Sequence, residues 1–189
     1  MTLVTADPTT STAPTASTAT PATTAKISFV GLPAVGKTTL LKLLTGRTID
    51  GTYVPTQGFD LGRVRFGRHV IRAWDFGGQK KFVKVHLEQF VYGSDVVFVV
   101  TDSTPRNVLA SRELVEFVRE LAGDECRIVA LANKQDLPGH MAASRVEDVL
   151  QVPVHPTVAL DPSCREKVAQ IIVDELTALE EAQKAEGGA

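Results

Sequence analysis

Hydrophobic positions along the chain fall into short continuous runs that alternate with longer stretches of helical spacing. Ile27-Ser28-Phe29-Val30 predicts a strand, and Thr39 to Thr45 predicts a helix through the spacing of Leu40, Leu41, Leu43 and Leu44. Gly46 to Gly58 lacks periodicity and reads as a loop. Phe59 to Phe66 and Val70 to Asp75 read as two strands joined by Gly67-Arg68-His69, a short hairpin with His69 as a solvated turn residue. Lys80 to Tyr92 is predicted helical, with Phe82, Val85, Leu87 and Phe90 available for packing. Val96-Val97-Phe98-Val99-Val100 has the unbroken apolar, β-branched character of a parallel strand buried on both faces. Thr101-Asp102-Ser103-Thr104-Pro105 stops that strand and caps a helix from Arg106 to Leu121. Arg127 to Asn133 predicts another buried strand, and Ser144 a cap for a short helix reaching Leu150. Val154 to Leu160 predicts a last strand, and Cys164 to about Ala182 an amphipathic helix through Val168, Ile171, Ile172, Leu176 and Leu179.

Strands and helices in alternation predict an α/β fold with helices on both faces of one sheet. Six strands are expected, and only the hairpin brings two together antiparallel, so the sheet should be mixed with one antiparallel edge strand. At 189 residues and 43% hydrophobic content the chain suits one domain with a real core. Residues 1–25 are largely Thr, Ala, Ser and Pro, too poor in apolar surface to offset the entropy of ordering, and read as a disordered tail. The folded domain is expected over 26–183 and a flexible C-terminus over 184–189. A net charge of −2 gives no electrostatic ground for a nucleic-acid or anionic-membrane partner. Cys126 and Cys164 lack metal-ligand spacing and suit ordinary thiols in a reducing cytoplasm. No apolar run approaches the ~20 residues of a membrane span. Residue 2 is Thr rather than Gly, and the C-terminus carries no prenylatable Cys, so no lipid anchor is expected at either end.

Gly31-Leu32-Pro33-Ala34-Val35-Gly36-Lys37-Thr38 lies between the first strand and the first helix, the context a phosphate-binding P-loop requires. Tight turns at Gly31 and Gly36 let backbone N–H groups from Ala34, Val35 and Gly36 through Lys37, Thr38 and Thr39 surround a β-phosphate, assisted by the helix dipole. Lys37 would reach the β- and γ-phosphates, and the Thr38 hydroxyl would ligate Mg²⁺. The bland alternative is a glycine-containing turn before a core helix.

Ile71-Arg72-Ala73-Trp74-Asp75 ends in a carboxylate suited to holding Mg²⁺ through water. Gly77 and Gly78 follow, so the backbone N–H of Gly78 can meet a γ-phosphate, and Gln79 can orient an attacking water. The same residues also suit a simple strand-ending turn. Asn133-Lys134-Gln135-Asp136 follows a buried strand. Asp136 can accept from N1–H and the 2-amino group of guanine together, a pair that adenine does not present, which argues against an ATPase. Lys134 would lie along the base, and Asn133 would tie this loop to the P-loop. Read alone, these four residues are also a common polar turn.

The order of these motifs resembles a small GTPase of the Arf/Sar-like branch, over nearly all of residues 26–183. Trp74 before Asp75 and the paired glycines after it separate the pattern from Ras and Rab. The resemblance implies a P-loop small G domain that binds GTP and GDP with Mg²⁺. It makes Pro55-Thr56-Gln57-Gly58-Phe59 a switch I, with Thr56 as second Mg²⁺ ligand, and Phe59 to Trp74 an interswitch hairpin that shifts between nucleotide states. It also implies effectors and regulators docking at Phe59, Trp74 and Phe82, and Ala159 of Thr157-Val158-Ala159-Leu160 as part of the guanine loop.

Departures from the branch are equally specific. Pro33 stands where members usually carry an acidic or polar residue, and it brings no N–H. Gln89 stands where the effector triad has Tyr, and the Thr/Ala/Pro tail replaces an amphipathic N-terminal helix. Val54 and Pro55 precede Thr56 where Gα proteins carry an arginine in cis. Unaided hydrolysis is therefore expected to be slow, on the order of 10⁻⁴ to 10⁻³ s⁻¹, with an exchange factor and a GTPase-activating protein regulating a cytoplasmic switch. A non-cycling guanine-nucleotide-binding scaffold module and a Roc-like G domain acting in an assembly are the alternative readings.

Overall fold

β1 (Thr24–Gly31) is the middle of the molecule, hydrogen-bonded in parallel to β3 (His69–Phe76) on one side and to β4 (Val96–Thr101) on the other. The computed structural model describes residues 24–46, 59–66, 69–76, 91–123 and 125–187. The sheet continues through β2 (Phe59–Phe66), β5 (Arg127–Ala132) and β6 (Val154–Pro156) in the order β2-β3-β1-β4-β5-β6. β2 runs antiparallel to β3, whereas β4, β5 and β6 continue in parallel.

Alternation along the strands divides the core in two. Ala25, Ile27 and Phe29 of β1 and Val96, Phe98 and Val100 of β4 face α1 (Lys37–Thr45) and α4 (Cys164–Gly187), where Leu40, Leu44, Val168 and Ile172 complete the packing. Phe29 and Phe98 stack with ring centroids 5.5 Å apart. On the opposite face Val30, Val97, Val99 and Ala130 meet α2 (Pro105–Ala122) and α3 (Ala143–Leu150) through Val108, Val115, Val118 and Val146. All six residues of β4 are buried, as a strand covered on both faces requires. Thr104 caps α2 by accepting from the Asn107 N–H, with Pro105 in the first turn.

Several boundaries differ from those read in the sequence. α3 is capped by Ala142 without a side-chain bond, and Ser144 lies inside its first turn. The Met141 N–H is held by the Ser103 carbonyl at 2.7 Å, so the chain is already aligned for the helix before Ser144. β6 stops at Pro156 rather than Leu160, because the Ala159 N–H is drawn to the side chain of Asn133 at 2.9 Å instead of a strand neighbour. His69 is the first residue of β3, paired opposite Phe66, rather than a turn residue. α4 continues through residues 184–187, read as flexible, because Glu181 to Glu186 is almost entirely strong helix formers. Most of the helix predicted over Lys80 to Tyr92 lies outside the described residues, as do residues 1–23 of the tail read as disordered; Thr24 and Ala25, the end of that tail, instead open β1, because pairing with Val70 and Ile71 of β3 carries Ala25 into the core.

Candidate functional site

The loop from Gly31 to Gly36 is built by what its neighbours forbid. A Cβ at Gly31 would come within 3.0 Å of the Val100 carbonyl oxygen, and a Cβ at Gly36 would come as close to Asn133 Nδ2. Gly36 also has φ of 105°, which side chains rarely adopt, and Ala34 takes a left-handed φ of 63°. Gly36 is the N-cap of α1 and offers no side-chain hydrogen bond, so the positive end of the helix dipole faces the loop. Glycine at both positions lets the loop lie directly against β4 and the Asn133 side chain, closer than any other residue would allow.

Lys37 opens α1 and is 5% exposed. Its Nζ donates to the carbonyls of Gly31 at 3.2 Å and Leu32 at 3.1 Å, so the buried ammonium is turned back into the loop. Thr38 follows it, half-buried, and Thr39 lies one residue on. Val35 is buried in the core, which anchors the loop from beneath.

Asn133 is the hub of the site. At 1% exposure, its Nδ2 donates to the Val35 carbonyl at 2.9 Å, and its Oδ1 accepts from the Ala159 N–H at 2.9 Å and the Thr157 hydroxyl at 3.3 Å. Lys134, in a left-handed conformation with φ of 62°, donates from Nζ to the Ala34 carbonyl at 2.7 Å. The loop around 133–136 is thereby fastened to the P-loop twice, and through Asn133 to the loop around 157–159. Asp136 is exposed. Ala159, expected in the guanine loop, lies in the loop tied to Asn133 through its own N–H.

Asp75 lies on β3 with Phe29 of β1 as its neighbour in the ladder, two residues before the P-loop begins. Trp74 pairs with Ser28 of β1 and Leu61 of β2, and Phe59 pairs with Phe76. Thr56, Gly78, Gln79, Phe82 and Gln89 lie outside the described residues. Among the described residues no three His, Cys, Asp or Glu side chains come together. A hard cation at this site suits a hydroxyl, a carboxylate and phosphate oxygens, the donor set Mg²⁺ takes beside a nucleotide. The N-terminus of α1 at Gly36 and the lysine turned into the loop fit a polyphosphate.

Sequence reading missed Ser103. It is fully buried, has φ of 64°, and its Oγ donates to the Asn133 carbonyl at 2.6 Å. A serine in a run of capping residues after a strand carries no signal that separates this role from a cap.

A P-loop at the end of the central strand, joined through one asparagine to a second loop bearing an exposed aspartate, defines a small nucleotide-binding G domain. The model of the ADP-ribosylation factor family matches residues 14–179. The chain belongs to that family: it is a small G protein, a GTP-binding P-loop GTPase.

Proposed function

We propose that this protein is a cycling molecular switch that binds GTP and GDP with Mg²⁺ and hydrolyses GTP slowly on its own. An exchange factor and an activating protein would set its rates in the cytoplasm, with any membrane recruitment passing through protein partners. The observation that carries this reading is the Asn133 hub, which ties the Gly31–Gly36 loop to the loops around 133–136 and 157–159.

On binding, Lys37 would exchange the neutral carbonyls of Gly31 and Leu32 for the β- and γ-phosphates, a charge-assisted contact roughly twice as strong as a neutral one. Backbone N–H groups from Ala34 to Thr39 would surround the β-phosphate. Mg²⁺ would be held by Thr38, Thr56 and, through water, Asp75, and would neutralise charge on the phosphate oxygens. Asp136 would accept from N1–H and the 2-amino group of guanine, Lys134 would cover the base, and Ala159 would line it from its tie to Asn133. The Gly78 N–H would sense the γ-phosphate while Gln79 orients water. The sheet with its β2–β3 edge would be the small G-domain frame in which that hairpin changes register between states. Phe59, Trp74 and Phe82 would form the effector face.

Hydrolysis rests on Gln79. Gln79→Leu should leave GTP affinity within about twofold while lowering single-turnover phosphate release at least about tenfold. Unchanged turnover would remove Gln79 from its role. A turnover near 1 s⁻¹ without partners would contradict slow intrinsic hydrolysis, expected on the order of 10⁻⁴ to 10⁻³ s⁻¹.

A further inference from the structure

Ser103 and Lys134 are both non-glycine residues in the left-handed region, with φ of 64° and 62°. Such conformations are strained and persist only where surrounding contacts over-determine them. Here the contacts are identifiable. Ser103 Oγ donates to the Asn133 carbonyl at 2.6 Å, and accepts from Gln135 Nε2 at 2.8 Å. The same Gln135 amide donates to the Met141 carbonyl at 3.0 Å, and the Met141 N–H returns to the Ser103 carbonyl at 2.7 Å. Ser103 N–H is in turn held by the Thr101 hydroxyl at 3.3 Å.

These bonds grip the chain immediately before and immediately after Lys134. On one side Asn133 is fixed through its carbonyl by Ser103 and through its N–H by the Thr101 carbonyl at 2.8 Å. On the other, Gln135 is fixed through its side chain by Ser103 and Met141, and its N–H reaches the Thr157 carbonyl at 3.3 Å. With Lys134 in this left-handed turn its Nζ reaches the Ala34 carbonyl of the P-loop, and Asp136 follows two residues on. Asp136 is exposed, so the backbone on either side of Lys134 sets where its carboxylate goes. An amide is the side chain that suits position 135, because its NH₂ supplies two donors and two acceptors stand ready.

We propose that Ser103 and Gln135 are positioning residues for base recognition, holding the 133–136 backbone in the strained form that aims Asp136 at the 2-amino edge of guanine. The proposal rests on the guanine reading of Asp136. Neither residue touches the nucleotide. Both act through Asn133, Lys134 and the direction of Asp136.

The test is the ratio of GDP to IDP affinity in the full chain with Mg²⁺, since hypoxanthine lacks only the 2-amino group. Fluorescent GDP displaced by unlabelled GDP, IDP or ADP supplies the three constants. The wild-type protein should prefer GDP over IDP by about tenfold or more, one charge-assisted hydrogen bond. Gln135→Ala and Ser103→Ala should each lower that ratio at least fivefold by weakening GDP more than IDP. Glu175→Ala, remote from the site, should lower the melting temperature and leave the ratio unmoved. If Ser103→Ala does not fold, the half-buried Gln135 carries the test by itself. Variants that melt lower yet retain the wild-type ratio would overturn the positioning role while leaving the guanine reading intact. A wild-type protein that binds ADP as tightly as GDP, or shows no preference for GDP over IDP, would overturn both.

Discussion

The side-chain amide of Asn133 donates to the backbone carbonyl of Val35 at 2.9 Å, although 98 residues separate them. Both groups are buried, so the bond cannot be replaced by solvent. Asn133→Ala would leave the Val35 carbonyl and the Ala159 N–H without this partner, at about 1–3 kcal/mol for each buried group left unsatisfied. We expect a urea midpoint shifted downward and GDP affinity reduced at least about tenfold. Wild-type values for both would mean that the two loops are held by other contacts.

Gly36 and Asn133 form a second linked pair, because a Cβ at Gly36 would fall within 3.0 Å of Asn133 Nδ2. Gly36→Ala adds that collision to a positive φ, and should destabilise by about 1–3 kcal/mol. Adding Asn133→Ala removes the collision and leaves the backbone strain. The double variant should therefore lose less than the sum of the single losses in thermal melts, and strict additivity would contradict the packing described.

Glu175, on α4 and 6% exposed, accepts from Arg127 Nε of β5 and contacts His155 Nε2 of β6 at 3.1 Å. This cluster clamps the last helix to the edge of the sheet. Glu175→Ala should cost about 2 kcal/mol, since Arg127 keeps partial access to water. Chemical denaturation measures it, and a loss below about 0.5 kcal/mol would reduce the clamp to an ordinary surface pair.

Cys126 lies beside Asp95, and burial followed by that carboxylate pushes its thiol up from 9.0 to about 11. At pH 8 its thiolate fraction should be about 100-fold below that of an unperturbed cysteine, so iodoacetamide should label it slowly until the chain is unfolded. The raised value means that the folded chain holds this proton more tightly than the unfolded one. Its contribution to stability is complete below pH 9.0 and is lost as pH rises from there toward about 11. Lys26 acts in the opposite sense, because burial lowers its value below 10.5. Cys126→Ala should accordingly flatten the fall in melting temperature over that window, and an unchanged profile would locate the fall elsewhere.

Legibility in the sequence followed chemistry that is local. Val96 to Val100 reads as a buried strand because every residue is apolar, and the glycines around Lys37 read as a phosphate loop because their spacing is constrained. Boundaries set by distant partners did not read. β6 ends early because Asn133 takes the Ala159 N–H, and α3 starts early because Ser103 holds Met141. Ser103 itself was invisible for the same reason: its partners at 133, 135 and 141 are brought to it by the fold.

If Asn133, Lys134 and Asp136 select guanine nucleotides for this P-loop and the protein hydrolyses the GTP it binds, it should carry GDP. Purifying it with Mg²⁺, denaturing it and identifying the released nucleotide by ion-exchange chromatography should give GDP at close to one equivalent per chain. Stoichiometric GTP would contradict hydrolysis, and adenine nucleotide, or a folded chain that releases none, would contradict the guanine assignment of Asp136.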